Sequence, residues 1–385
     1  MIKPFTFGFR TTIIYGEGAS RQLGERALEL GGKRALVVTD PGIERAGILQ
    51  GPVESLEKAG LDVVVFAEVE ANPETSTVER GKDLAVAEGC DIVVGIGGGS
   101  SMDAGKGVAV SVTNPDPIVS YEGLNKVKVP GLPMIALPTT AGTGGEITIW
   151  TVLTDSNRRL KIGVGSPYCS PTYALCDPLL TVSMPPSVTA MTGMDALTHA
   201  VESYVNTATQ PPSEALAMRA ITLIGANLRT AVYRGDDLEA RDAMLMGSLL
   251  AAMAFNSTRL GIAHALAMPL GSWDMAIPHG LANAIVLPAV IEYNHMAKPD
   301  KYAEIARALG ENVDGLSLRD AAYKAVEAVR KLNDDVGIPR GLSQAGVKEE
   351  HLERIASEAI KSGNIVVNPR TSTVKDLVDI LRRSM

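Results

Sequence analysis

The sequence predicts an α/β domain followed by an all-α domain, and two observations support this prediction. The chain has 385 residues, more than a single hydrophobic core usually organises, so two domains are expected. In the first half, short β-branched runs alternate with helical stretches, whereas after Met184 long segments rich in Ala, Leu and Met take over. We therefore predict a boundary near residue 185, with domains at residues 1–185 and 186–385.

Five runs in the first half are apolar along almost their whole length. Buried parallel strands have this composition because helices cover both of their faces. Helix-like stretches, among them Ala19–Leu30 and Ser76–Glu88, lie beside these runs, and the alternation predicts a doubly wound α/β domain. The predicted strands are Arg34–Thr39, Asp62–Phe66, Asp91–Ile96, Pro133–Leu137 and Tyr173–Cys176.

The second half contains apolar residues at three- to four-residue spacing, which is typical of helices packed on a core. Eight segments follow this pattern, and they leave little room for strands. The predicted helices are Ser187–Asn206, Ser213–Tyr233, Leu238–Asn256, Ile262–Met268, His279–Asn294, Pro299–Leu309, Leu318–Asp335 and His351–Lys361.

Composition and charge exclude several classes of protein. The net charge is -8 and no Lys/Arg run occurs, which argues against a nucleic-acid partner. No run of about 18 apolar residues suggests a membrane span, and the first residues lack the apolar core of a signal peptide. The three cysteines form no CxxC pair, which favours a reducing, cytoplasmic location over a disulfide framework.

A glycine-rich turn follows the third predicted strand directly. Gly97, Gly98, Gly99 and Ser100 stand between the strand and the start of a helix. Backbone N–H groups in such a turn can close on a diphosphate, and the helix N-terminus adds positive partial charge. The spacing does not match a P-loop, and a purely structural turn is the alternative interpretation.

Two further features lie just after predicted strands, at the edge of a parallel sheet where ligands bind. The stretch Pro138–Glu146 brings three hydroxyls, those of Thr139, Thr140 and Thr143, which can donate to phosphate or ribose oxygens. Asp40 follows the first strand, where an acid accepts from a ribose 2′-hydroxyl and repels a 2′-phosphate. This pattern predicts NAD rather than NADP, although each feature alone is also compatible with an ordinary turn.

A possible metal site lies in the second half. Asp195 and His199 are four residues apart, so one face of a helix presents both. His264 and His279 could complete a set of one carboxylate and three imidazoles, which suits Fe²⁺ or Zn²⁺. Each histidine alone could equally be structural. Glu202, one turn beyond His199, is either a support for a ligand or a solvated helix acid.

Taken together, these motifs resemble those of the iron-containing (group III) alcohol dehydrogenase family. The similarity covers nearly the whole chain, and the order of the motifs is specific. The matching segments are Gly97–Lys106 (GGGSxxDxxK), Pro138–Glu146 (PTTAGTGxE), Thr192–His199 (TGMDALTH), Pro278–Pro288 (PHGLANAIVLP) and Asn368–Arg370 (NPR).

The resemblance implies a dehydroquinate synthase-like architecture, in which a Rossmann-like dinucleotide-binding domain precedes an all-helical metal domain. It implies one metal ion, commonly Fe²⁺ and sometimes Zn²⁺, and a homo-oligomer that is a dimer or larger. It assigns Asp195, His199, His264 and His279 to the metal, and it adds Asp103 and Lys161 to the NAD contacts. The full set of implied NAD contacts is Asp40, Gly97, Gly98, Gly99, Ser100, Asp103, Thr139, Thr140, Thr143 and Lys161.

Two departures from the family pattern concern the substrate and the proton. Many members have a histidine four residues after the equivalent of His264, where this chain has Met268, so the proton must leave by another route. The interval from His264 to His279 is also one residue longer than is common, and Trp273 lies in it. These departures leave the substrate open without changing the reaction class.

The predicted activity is that of a metal-dependent NAD(H) alcohol dehydrogenase or aldehyde reductase acting on a small alcohol or aldehyde. Within the same family, a maleylacetate reductase or a hydroxyacid–oxoacid transhydrogenase is the alternative. A dehydroquinate synthase-like lyase would need a basic cluster for a phosphorylated sugar acid, and none is evident near the metal motifs. A non-catalytic binding protein fits poorly with a complete set of ligands and an intact glycine loop.

Overall fold

A computed structural model describes residues 4–272 and 275–385, and these residues form two compact units. The amino-terminal unit comprises Phe9–Thr140 and Gly144–Met184. The carboxy-terminal unit comprises Pro185–Met385, Ala141–Thr143 and the described residues before Phe9. That these units serve as a cofactor-binding domain at residues 1–185 and a metal domain at residues 186–385 stays a prediction.

A six-stranded parallel sheet organises the amino-terminal unit, in the order β1-β9-β6-β4-β2-β3. A smaller sheet has the order β5-β8-β7, with β7 and β8 antiparallel. In the described part of the chain the strands are β1 Thr12–Tyr15, β2 Arg34–Val38, β3 Asp62–Phe66, β4 Ile92–Gly97, β5 Gly123–Leu124, β6 Met134–Pro138, β7 Trp150–Asp155, β8 Leu160–Gly165 and β9 Tyr173–Cys176.

The core of this unit lies on both faces of the large sheet. Along β2, Leu36 and Val38 belong to one buried cluster, whereas Ala35 and Val37 belong to another. Alternate strand residues point to opposite faces, so two covered faces require the continuous apolar runs that the sequence shows. The helices of the amino-terminal unit are α1 Leu23–Glu29, α2 Pro41–Arg45, α3 Gln50–Lys58, α4 Thr75–Glu88 and α5 Gly99–Thr113.

The five predicted strands are confirmed to within one residue at each end. The strands that sequence reasoning missed are β1, β5, β7 and β8. β1 is a four-residue edge strand whose residues are exposed or half-buried, so it is too short to form a clear pattern in the sequence. The β7–β8 hairpin turns at residues 156–159, where Asp155 accepts hydrogen bonds from the backbone N–H groups of Asn157 and Arg158.

The carboxy-terminal unit is helical, and all eight predicted helices are confirmed with ends shifted by two residues or fewer. A further helix, Val374–Arg383, was missed; it begins at a capping box formed by Thr373 and Asp376. No helix in the described residues is long and apolar enough to cross a membrane. The helices are α6 Pro186–Val205, α7 Pro211–Tyr233, α8 Leu238–Thr258, α9 Ile262–Leu270, α10 His279–Asn294, α11 Pro299–Ala308, α12 Leu318–Asp335, α13 Leu352–Ala359 and α14 Val374–Arg383.

Candidate functional site

Three predicted metal ligands lie together in the carboxy-terminal unit. Asp195 and His199 stand one turn apart on α6, and His264 stands in the first turn of α9. One potential ligand atom from each of these residues lies within 4.8 Å of the other two. All three side chains are buried, so the cluster is shielded from bulk water. The four-residue spacing of Asp195 and His199 thus places both side chains on one face of α6, as the sequence predicted.

His264 is held by a carboxylate behind it. Its Nδ1 lies 2.7 Å from Oε2 of Glu202, and its Nε2 lies 3.7 Å from Oδ1 of Asp195. Nε2 is buried, and no hydrogen-bond partner for it exists in the described residues. A buried nitrogen without a partner is unfavourable unless something else binds it. Nε2 is therefore the atom that His264 offers to an ion.

His199 is oriented in the same way by a different acceptor. Its Nδ1 lies 3.2 Å from the carbonyl oxygen of Gly142, so Nδ1–H donates and Nε2 remains for a ligand bond. The ring stacks on Phe255 at 4.5 Å and on His264 at 4.4 Å between centroids. The backbone of Gly142 packs closely against Thr192 on α6, because a Cβ at position 142 would lie 2.7 Å from Cβ of Thr192.

His279, the fourth predicted ligand, lies at the rim of this cluster. It is the first residue of α10, and its Nε2 is 4.0 Å from Oδ1 of Asp195. Its side chain is 29% exposed, against 3% for Asp195 and 4% for His264. The buried amide of Asn283 lies between them: Nδ2 donates to Oδ1 of Asp195 at 2.7 Å and is 3.2 Å from Nε2 of His279.

The charges of the cluster balance one another. Burial opposes ionisation of Asp195, but His199, His264 and His279 outweigh it and hold the pKa of this carboxyl well below its usual range. Burial lowers the pKa of His199 to about 4. Burial also disfavours the charged form of His264, yet the nearby carboxylates of Asp195 and Glu202 raise its pKa to about 9. The site thus pairs a carboxylate with imidazoles in a dry environment.

The residues around the cluster fit a divalent cation of borderline softness. One carboxylate and two or three imidazoles are the donors that Fe²⁺ and Zn²⁺ accept. Two of the imidazoles have Nδ1 engaged by an oxygen acceptor, which is the outer hydrogen bond that metal-binding histidines usually make. The orphaned Nε2 of His264 is the observation of this structure that an ion would explain.

Sequence reasoning left Glu202 open and missed Asn283. Glu202 is 3% exposed, so the solvated alternative is wrong and the buried support is what the structure shows. Asn283 stands four residues after His279 on α10. The same i, i+4 argument that selected Asp195 and His199 would have found it.

The predicted cofactor residues of the amino-terminal unit lie around the end of β4. Oδ1 of Asp40 accepts from the N–H groups of Gly42 and Ile43 and caps α2, while Oδ2 accepts from Ser101 at 3.2 Å. Gly97 has a φ of 148°, and a Cβ there would lie 2.4 Å from Oγ of Ser101. Only glycine fits this position without strain.

The turn continues into the N-terminus of α5. Gly98 is the N-cap, and Gly99 and Ser100 open the helix without a side-chain cap, which leaves backbone N–H groups for an anion. A Cβ at Gly98 would lie 3.2 Å from Cγ2 of Thr140, and Oγ1 of Thr139 is buried with no hydrogen-bond partner in the described residues. This cradle of small residues and a spare hydroxyl suits a diphosphate.

Thr143 belongs to a different unit from the other predicted cofactor residues. It belongs to the stretch Ala141–Thr143, which packs within the carboxy-terminal unit. The cofactor role of Thr143 stays a prediction.

Asp103 and Lys161 lie near each other in the amino-terminal unit. Burial raises the pKa of Asp103 to about 6, although Lys106, the Val152 N–H and Lys161 all favour its charged form. Nζ of Lys106 donates to Oγ1 of Thr148 at 3.0 Å and to the Trp150 carbonyl at 2.9 Å. Lys106 thereby connects α5 to the start of β7.

The raised pKa of Asp103 predicts a pH-dependent stability. Between its usual value of 3.8 and about 6, folded Asp103 keeps a proton that the unfolded chain has lost, so its contribution to stability declines as the pH rises through this window. The melting temperature of Asp103→Asn, relative to the unchanged protein, should rise from pH 4 to pH 6 and then level off. The full change is on the order of 2 kcal/mol. A difference that is flat across this window would contradict the assignment.

Two departures from the family pattern have different outcomes. Met268 lies half-buried on α9, four residues after His264. This chain therefore has a thioether where many family members have an imidazole. Trp273 and Asp274, in the lengthened interval before His279, lie outside the described residues.

Comparisons with known proteins agree with one family along the chain. The family model described as iron-containing alcohol dehydrogenase matches residues 10–178, and that of the C-terminal part of the Fe-containing alcohol dehydrogenase family matches residues 189–385. The 1,3-propanediol dehydrogenase of Citrobacter freundii is 44% identical over 374 residues, with 96% of each chain covered. The NAD-dependent methanol dehydrogenase of Bacillus methanolicus is 39% identical, with 97% of each covered.

A solved structure shows the same fold. The crystal structure of a 1,3-propanediol oxidoreductase superposes with a TM-score of 0.97 and 42% identity, covering 100% of both chains. The predicted fold class is thereby confirmed.

Proposed function

The chain belongs to the iron-containing alcohol dehydrogenase family, and we propose that it moves a hydride between NAD(H) and a small alcohol or aldehyde with the help of one divalent metal ion. Oxidoreductase activity on alcohols and aldehydes follows from the relatives. The observation that carries the metal requirement is the buried cluster of Asp195, His199 and His264 within 4.8 Å.

In this proposal Asp195, His199, His264 and His279 hold the ion. When bound, the ion supplies Lewis acidity to the oxygen of the alcohol or aldehyde. Asp195 offsets part of the positive charge, and Glu202 and the Gly142 carbonyl fix the two imidazoles so that Nε2 points inward. Burial of Asp195, His199 and His264 excludes water from these side chains, which strengthens each electrostatic interaction. The family name and the donor set favour Fe²⁺, with Zn²⁺ as the alternative.

The proposed NAD site uses the glycine turn and its neighbours. The N-terminus of α5 receives the diphosphate, and Thr139 and Thr140 donate to its oxygens. Asp40 accepts from the adenosine ribose, while Asp103 and Lys161 lie near each other in the same unit. The B. methanolicus relative is named as NAD-dependent, and this supports NAD for the present chain. Thr143 remains part of the proposal on the resemblance alone.

Metal reconstitution tests the proposal directly. The protein is purified anaerobically, stripped with a chelator and reloaded with Fe²⁺, Zn²⁺ or nothing. NADH oxidation is then followed with short aldehydes and with oxoacids, and metal content is measured on the same samples. We expect reloaded protein to oxidise NADH with aldehydes and stripped protein to be inactive. Turnover with oxoacids but not aldehydes would favour the maleylacetate reductase or transhydrogenase alternative, and no metal-dependent turnover would refute the proposal.

Substitutions of Asp40 can distinguish its role in cofactor preference from its role in stabilising α2. Asp40→Ser removes the charge that repels a 2′-phosphate but keeps an N-cap for α2, because serine caps as well as aspartate. We expect the ratio of kcat/KM for NADPH over NADH to rise by at least about tenfold, since one charge contact of this kind is worth about 1.4 kcal/mol or more.

Asp40→Ala is the matched comparison. It should shift the cofactor ratio similarly but also lower the free energy of unfolding by about 1 kcal/mol through the lost cap. An unchanged cofactor ratio in both variants would exclude Asp40 from ribose recognition.

Location and assembly complete the proposal. Cys90, Cys169 and Cys176 are all buried and free, which agrees with a reducing, cytoplasmic environment. The family resemblance suggests a homo-oligomer, a dimer or larger. Light scattering coupled to gel filtration measures the mass in solution, and a mass of one 40.5 kDa chain would contradict the oligomer.

A further inference from the structure

The carboxylate of Glu202 accepts three hydrogen bonds from a neighbouring helix turn. Its side chain reaches from α6 to the first turn of α9, where Oε2 accepts from the Gly261 N–H at 2.9 Å and from Nδ1 of His264 at 2.7 Å, and Oε1 accepts from the Ala263 N–H at 2.7 Å. Three donors from one turn therefore converge on two carboxylate oxygens. The group is 3% exposed, so water cannot substitute for a lost acceptor.

We infer that Glu202 is a positioning residue that sets the tautomer and the direction of His264 for metal binding, an inference that rests on the proposed metal site. An imidazole can present Nε2 to an ion only while its other nitrogen carries the proton. Glu202 accepts that proton's hydrogen bond at Nδ1. The two backbone bonds from Gly261 and Ala263 fix the carboxylate, so it in turn fixes the ring.

Gly261 packs closely against the carboxylate of Glu202. A Cβ added at Gly261 would lie 2.8 Å from Oε1 of Glu202 and 3.2 Å from Oδ1 of Asn368. Asn368 is itself held by reciprocal amide hydrogen bonds with Asn294 at 2.8 and 2.9 Å. Glu202, Asn294 and Asn368 line one small cavity, so the C-terminal segment lies beside the turn that presents His264.

A glutamine at position 202 has nearly the same shape but only one acceptor oxygen. If its amide nitrogen faces His264, Nδ1 must accept and the proton moves to Nε2, the atom needed for the ion. If the oxygen faces His264, the amide nitrogen meets the Ala263 N–H, and two donors oppose each other. Either arrangement disturbs the metal site, so Glu202→Gln should act almost as strongly as truncation.

The test measures cobalt binding rather than turnover. Co²⁺ is added to the stripped full-length protein, its dissociation constant is obtained by chelator competition, and its visible ligand-field absorption reports the geometry. We expect Glu202→Gln to raise the dissociation constant 10- to 100-fold, the range seen when an outer partner of a ligating histidine is lost, and to alter the absorption. Glu214→Gln, on α7, removes the charge of one partner of Lys301; it is the matched control and should leave both unchanged.

A double-mutant cycle separates positioning from general damage. If Glu202 acts through His264, Glu202→Gln should have little further effect in a His264→Ala background, whereas a structural effect would add to it. If circular dichroism shows that Glu202→Gln does not fold, the same Co²⁺ titration is done with Glu202→Asp. Aspartate keeps both acceptor oxygens, but its shorter side chain holds them farther from Nδ1 of His264.

Each outcome decides the matter. Wild-type affinity in folded Glu202→Gln, or in its aspartate substitute, would overturn the positioning role while the metal site stands. Full additivity in the cycle would also overturn it. If the unchanged protein binds no Co²⁺, Fe²⁺ or Zn²⁺, the proposed metal function fails together with the positioning role. Metal binding by the unchanged protein thus distinguishes failure of the proposed function from failure of the positioning role alone.

Discussion

Asp195→Asn is expected to lower kcat/KM for aldehyde reduction by roughly a thousandfold and to abolish tight metal binding. The substitution removes the only negative charge among the four proposed ligands. A Lewis acid contributes several kcal/mol to stabilising charge in the transition state, and about 4 kcal/mol corresponds to about three powers of ten in rate. The measurements are metal content after reloading and steady-state kinetics with NADH.

The fold should survive this substitution. Oδ1 of Asp195 accepts from Nδ2 of Asn283 at 2.7 Å, and an asparagine keeps an oxygen there with nearly the same volume. A matched control is Asp236→Asn, an exposed position in the same unit, which should leave metal content and rate unchanged. Retention of both metal and activity by Asp195→Asn would exclude this aspartate as a ligand.

Gly280→Ala is expected to destabilise the carboxy-terminal unit by about 3 kcal/mol and to weaken metal binding at least about tenfold. A Cβ at this position would lie 2.4 Å from the carbonyl oxygen of Met191 and 3.3 Å from Cβ of Asp195. Backbone atoms cannot rotate away as a side chain can, so α10 must move from α6, at the upper end of the usual overpacking cost. His279 and Asp195 would then separate.

Thermal unfolding of stripped protein and Co²⁺ titration measure the two effects of Gly280→Ala. Gly51→Ala serves as control: it is a helix position where an added Cβ meets nothing within 4 Å, and alanine there should be neutral or stabilising by up to about 1 kcal/mol. Equal melting temperatures for Gly280→Ala and the unchanged protein would show that α6 and α10 are less closely packed than the structure indicates.

The sequence predicted the parts of the fold that depend on hydrophobic pattern. Strands β2, β4, β6 and β9 were found because both of their faces are buried, which requires continuous apolar runs. β3 is an edge strand with exposed residues, and it was found through its run of valines. β1 was missed because it has only four residues, too few to form a clear pattern. β7 and β8 were missed because Thr, Lys and Gly interrupt their apolar residues. α14 was missed although Thr373 and Asp376 form a capping box, a signal that is visible in sequence.

For the candidate site, local spacing could predict Asp195 with His199, but not what stands behind them. The acceptor for His199 is the carbonyl of Gly142, which is 57 residues away in the chain, and a backbone carbonyl has no sequence signature. Glu202 could not be assigned because burial of a helix acid depends on its tertiary neighbours. The metal roles of Asp195, His199, His264 and His279 and the cofactor roles of the ten predicted residues stay predictions.

The order of strands in the large sheet has a consequence for synthesis on the ribosome. In the described residues β1 lies at the edge of the sheet and pairs only with β9, through partners such as Thr12 with Tyr173. The first strand to be synthesised therefore cannot pair until the last strand has been synthesised. Contacts this distant in sequence slow folding. Until Cys176 has left the exit tunnel, the nascent chain carries unpaired edges on β1 and β6, and during this interval it is most open to aggregation or chaperone binding.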